Sequence, residues 1–141
     1  MTAKEYLQQY REAARIARRL KIEYEEELER IDTIRSALGG DGLPRSHGVS
    51  KTVEDRAIRL ADKALKWKEA ELDAIKIRQE VFDVIRSVPG EAGNVLYMRY
   101  VQLKSWDEIS KTVGYSKRQA HNLERQGLSL IKDCTQFHTL L

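Results

Sequence analysis

The chain has 141 residues, enough for one ordinary domain or for one small domain with a helical extension. A third of the residues are charged and only two are proline, a mix that favours helix. No apolar run is long enough to span a bilayer, the amino terminus has no signal-peptide core, and the single cysteine, Cys134, has no internal partner; the expected setting is reducing and cytoplasmic, with no membrane partner. The net charge of +3 is small and unevenly placed. Residues 1–38 and residues 52–88 each carry eight basic and eight acidic side chains, whereas residues 104–141 carry six and four. A nucleic-acid site on this chain is therefore expected to be small, local and C-terminal.

Thr2 and Glu5 form a capping box, so a first helix starts almost at once. Ala3, Tyr6, Tyr10, Ala13, Ala17, Leu20 and Tyr24 come next at steps of three and four, then the step slips to Leu28, Ile31, Ile34 and Leu38. The pattern predicts one amphipathic helix of more than thirty residues, ended by Gly39-Gly40. Residues 39–51 have no periodicity and read as a loop. A second long helix is expected from Thr52, with Val53, Ala57, Leu60, Ala61, Ala64, Trp67, Leu72, Ile75, Phe82 and Ile85 on its apolar stripe and Lys68 as a polar break. Val88-Pro89-Gly90 ends it. Two such helices joined by a loop should pack antiparallel. Tyr10, Leu20, Leu28, Trp67, Leu72 and Ile75 are the expected core residues. A third helix covers about Glu91 to Val101.

The segment from Ser105 to Glu124 carries the functional signal. Ser105 caps a helix, with Glu108 three residues on; Trp106, Ile109 and Val113 share one face. Gly114 stands where the chain must turn sharply, and glycine accepts positive φ without penalty. Ser116 caps another helix that runs to about Lys132, with Gln119 completing a second capping box. Two short capped helices around a glycine turn can present the second helix to a DNA major groove. Lys117 and Arg118 lie in its first turn, where the helix dipole repels cations, so an anionic partner would explain them better than solvent.

Val95-Leu-Tyr-Met-Arg-Tyr100, Ser105-Trp-Asp-Glu-Ile109, Val113-Gly-Tyr-Ser116 and Leu123-Glu-Arg-Gln-Gly-Leu128 together resemble the C-terminal promoter-reading module of bacterial sigma factors. The resemblance covers about residues 88–132. The overall layout is similar to phage regulators with a sigma-like tail, the ArpU/RinA-type late-gene activators. It implies an all-α fold: a long antiparallel helical hairpin over residues 1–88 for oligomerisation or partner binding, then a sigma-like helix-turn-helix over residues 89–141. By position it implies that Lys117, Arg118, His121 and Asn122 reach base edges. Lys or Arg can donate to guanine, and Asn can pair with adenine. Arg125, one turn on, is expected at phosphate, and Gln119 faces the side and can serve either role. His121 equally reads as an ordinary surface histidine. Ala120 departs from the family pattern, which has a larger branched residue, and Arg118 replaces an acidic residue of the primary sigma factor. Both departures put that family's usual promoter preference in question.

The expected function is sequence-specific double-stranded DNA binding by a phage- or prophage-encoded transcription regulator in a bacterial host cytoplasm. Host RNA polymerase is a further expected contact, and the near-heptad steps of the first helix suggest a homodimer. The alternatives are an RNA-polymerase-binding adaptor that does not bind DNA, and a phage small terminase subunit. No nucleophile–base set or carboxylate pair stands out, so no enzyme is expected. His47, His138 and Cys134 form no ligand cluster, so neither metal nor cofactor is expected.

Overall fold

The computed structural model describes residues 1–37 and 47–132. Residues 39–46 of the expected loop, together with Cys134 and His138, lie outside the described residues. Every described element is helical: α1 (Ala3–Ala37), α2 (His47–Arg86), α3 (Gly90–Leu96), a π-helical turn (Tyr97–Val101), α4 (Trp106–Val113) and α5 (Lys117–Lys132). The all-α class and the pairing of two long helices are as the sequence predicts.

Helix α1 begins where expected. The Thr2 hydroxyl accepts from the Glu5 amide at 3.2 Å, and the Glu5 carboxylate accepts from the Thr2 amide at 2.9 Å. Helix α2 begins at His47, five residues before the expected Thr52. A His-Gly pair lowers local helix propensity by about 1 kcal/mol, which a helix of this length can absorb once its apolar face is packed.

The chain forms two compact units. One contains Ala14–Leu72, the middle of the helical pair. Here Tyr24 of α1 stacks on Trp67 of α2 with ring centroids 5.4 Å apart, and the Glu27 carboxylate meets the Lys63 ammonium at 3.5 Å. As numbers rise on α1 they fall on α2, so the two helices are antiparallel. Glu27 is buried, and Arg30 on its own helix is its second partner. Losing either partner would leave a buried charge short of compensation.

The other unit joins Met1–Ala13 to the chain from Asp73 onward. Its main core holds Tyr6 and Leu7 of α1, Val81 and Ile85 of α2, Ala92 and Leu96 of α3, Tyr100 and Val101 of the π-turn, and Ile131 of α5. A smaller core gathers Val95, Met98, Ile109 and Ala120, with Trp106, Val113 and Leu123 against it. Helices α3 and α5 approach closely because α5 carries a glycine at the crossing. A Cβ on Gly127 would lie 2.6 Å from Leu96 Cδ1 and 3.5 Å from the Ala92 carbonyl oxygen.

Three expected core residues are not in the core: Leu28, Leu72 and Ile75 are exposed. On α2 the covered positions run Leu60, Trp67, Ala74 and Val81, seven apart. Buried Ala74 is small, and the larger Leu72 lies two residues away, about 200° around the helix. On α1 the stripe continues without a slip, because buried Glu27 fills the place that the sequence pattern had assigned to Leu28.

The cost expected for truncating a core leucine therefore falls on Leu7, which is fully buried. Leu7→Ala should lower unfolding stability by about 2–5 kcal/mol. Gly127→Val should cost roughly 1–3 kcal/mol by overpacking the crossing. Chemical denaturation of both variants measures this, and wild-type midpoints for the pair would contradict the packing described.

Candidate nucleic-acid interface

The surface in question is built by α4, its turn and α5. Ser105 caps α4, its hydroxyl accepting from the Glu108 amide at 3.3 Å, and Ile109 anchors the helix in the smaller core. Gly114 ends α4 in the left-handed region, at φ 76° and ψ 16°, and its amide donates to the Ser110 carbonyl at 3.0 Å. The Ser110 hydroxyl donates to the Tyr115 carbonyl across the same turn. Ser116 then starts α5 with a complete capping box: its hydroxyl accepts from the Gln119 amide at 3.2 Å, and Gln119 Oε1 accepts from the Ser116 amide at 3.4 Å. Each of these devices is local, and together they fix the angle at which α5 leaves α4.

Helix α5 buries Ala120, Glu124, Gly127 and Ile131. That leaves Arg118, Asn122 and Arg125, at i, i+4 and i+7, on one exposed face, which Ser129 extends by a further turn. These three of the six expected site residues share a free surface. Ala120, the departure from the sigma pattern, is on the buried face.

The other three are engaged within the two-helix unit. The Lys117 ammonium pairs with the Asp107 carboxylate of α4. That hydrogen bond, and then the charge behind it, holds the Asp107 carboxyl below its ordinary range. His121 is half-buried against Trp106, with ring centroids 4.0 Å apart. The Arg99 guanidinium also lies on Trp106, 5.0 Å from its centroid, and donates to the Lys104 carbonyl at 3.0 Å. Burial, and after it the nearby Arg11 charge, lowers the pKa of Arg99. Gln119 is spent on the cap. It also lines, with Tyr115, Asn122, Leu123 and Glu91 of α3, a shallow recess beside the exposed face. Glu91 brings a negative charge there, so the cationic surface narrows to Arg118 and Arg125.

Beneath the exposed face lies a polar tie that sequence reading missed. The buried Tyr100 hydroxyl is hydrogen-bonded to the buried Glu124 carboxylate. Burial first, and the Glu124 charge second, push the Tyr100 phenol up from its ordinary 10.0. No local signal marks this pair, because its members stand 24 residues apart in sequence. Ser129 was legible from helical spacing alone.

Among the described residues no group of three or more histidine, cysteine, aspartate or glutamate side chains could hold a metal ion. No described helix is long and apolar enough to cross a membrane. No protein-family model, curated protein or solved structure matches the chain.

The Tyr100–Glu124 tie has a pH signature. Because the folded state raises the phenol pKa, the stabilisation it gives is complete below pH 10 and is lost as pH rises beyond it. Thermal unfolding should show a falling midpoint above pH 10. Tyr100→Phe should lessen that fall without abolishing it, since buried Tyr6 is shifted in the same direction. At neutral pH the same variant should lose roughly 1–3 kcal/mol, because the buried Glu124 carboxylate loses a donor. A midpoint that climbs above pH 10 would contradict this linkage.

Proposed function

We propose that the chain is a sequence-specific double-stranded DNA-binding regulator of transcription that lays α5 in a major groove. One observation carries this reading. A capped helix, fixed by a glycine turn and buried along one side, presents Arg118, Asn122 and Arg125 in line along its free side. Arg118 and Asn122 offer the bidentate chemistry that distinguishes guanine and adenine edges. Arg125 is placed for a phosphate further along the groove. Helix α4 braces the reader across the backbone, the usual division of labour in a two-helix DNA-binding unit. Lys117 serves as a second-rank contact, since it must leave Asp107 before it can meet DNA. The similarity to sigma-like phage activators favours a phage- or prophage-borne regulator acting in a bacterial cytoplasm beside host RNA polymerase.

Binding sites selected from random duplex DNA, then titrated at several salt concentrations, test this reading. Asn122→Ala should cost about 1–3 kcal/mol on the selected site and relax base preference. Arg125→Ala should weaken selected and scrambled DNA alike and flatten the salt dependence by about one charge. Lys117→Ala should cost less than Arg118→Ala. If the protein selects no site, and all these variants retain wild-type behaviour, the C-terminal module is a protein-binding adaptor instead.

A further inference from the structure

We propose that the first turns of α1 hold the backbone of the duplex that α5 reads, with Arg11 and Arg99 sharing one phosphate at the margin of the groove. The inference rests on the DNA-binding reading of α5 and adds a second element to it. The charge of α1 is even in total but segregated along the chain. Residues 1–22 carry six basic and two acidic side chains, and residues 23–38 carry two and six. The basic stretch includes Met1–Ala13, the segment that packs into one unit with the C-terminal helices. Within it Lys4, Gln8 and Arg11 follow at steps of four and three and share a face, on which Lys4 and Gln8 are exposed and Arg11 is half-buried. The acidic residues of the segment serve elsewhere. Glu5 is spent on the Thr2 cap, and Glu12 lies about 100° around the helix from Arg11.

Packing carries this face toward α5. Leu7, one turn before Arg11, and Tyr10 join the main core beside Tyr100 and Val101 of the π-helical turn. Arg99 precedes Tyr100 on that turn and lies on Trp106, which in turn meets His121 of α5. The line from Arg11 through Arg99 and Trp106 therefore ends one residue from the exposed Asn122. A helix in a major groove roughly 12 Å wide has a phosphate strand at each margin. The two arginines stand on the side of α5 where one such strand would run. In the free protein their proximity is unfavourable: burial and the Arg11 charge hold the Arg99 pKa down, although Glu124 acts the other way. Glu124 is itself buried and tied to Tyr100, and Asp107, next along α4 from Trp106, is held by Lys117. A phosphate diester accepts from two guanidiniums at once and removes the repulsion between them.

Titration of the full chain with its selected duplex and with scrambled DNA, at several salt concentrations, tests the proposal. Arg11→Ala should weaken both duplexes severalfold, flatten the salt dependence by about one charge and leave the selected sequence unchanged. Arg11→Lys should keep most of the salt dependence, which a purely structural role for the arginine would not predict. In a Cys134→Ser background, Arg11→Cys carrying an iron–EDTA cleaver should cut the duplex at one margin of the selected site. If the wild type selects a site but Arg11→Ala keeps its affinity and salt dependence, the proposal is overturned and the reading of α5 stands. Absence of cuts from the Arg11→Cys conjugate on bound duplex overturns it in the same way. A changed base preference in Arg11→Ala overturns the phosphate role. A wild type that selects no duplex overturns the reading of α5 and this proposal with it.

Discussion

The close approach of α5 to α3 at Gly127 is the constraint on which the candidate site depends. Leu96 occupies the space that any side chain at position 127 would need. With that space filled, Ile131 reaches the main core and Ala120 reaches the smaller one. Helix α5 is then fixed in rotation as well as position, and Arg118, Asn122 and Arg125 must face outward. Packing on one side of a helix thereby decides the chemistry offered by the other. The charged face needs no attractive interactions of its own to be held in place.

Electrostatics refine what packing sets up. Two carboxylates act on α5 in opposite ways. Glu124 is buried and tied to Tyr100, so it helps to seat the helix. Asp107 is exposed and holds Lys117, so it withdraws one cation from the free surface. Exposed pairs of this kind are worth little in stability, and a phosphate can displace Asp107 at small cost. Trp106 collects both His121 and Arg99 and ties α5 to the π-helical turn. Such π-turns insert an extra residue into a helix and re-aim the chain beyond it. Here the turn delivers Met98 to one core and Tyr100 and Val101 to the other.

Much of this was legible because its signals are local. The capping pairs Thr2–Glu5 and Ser116–Gln119 are written three residues apart, and the glycine at position 114 marks its own turn. The helical pairing came from amphipathic length. What sequence reading lost was phase and long-range pairing. Leu72 and Ile75 outweighed Ala74 in the pattern because they are larger, yet the alanine is the buried residue. Glu27 hid the continuation of the α1 stripe for the opposite reason, being charged and buried. At the candidate site, spacing gave the set of six residues on α5. It could not separate Arg118, Asn122 and Arg125 from Lys117 and His121, whose partners, Asp107 and Trp106, sit on another helix.

The central claim is that the free face of α5 meets double-stranded DNA. The most direct measurement is an NMR titration of the isotopically labelled full chain with a duplex selected for binding, tracking backbone amides and the Asn122 side-chain amide. The account predicts progressive shifts concentrated at Arg118, Asn122, Arg125 and Ser129, with the interior of the helical pair around Tyr24 and Trp67 unmoved. Shifts centred on the helical pair, with α5 silent, would contradict it.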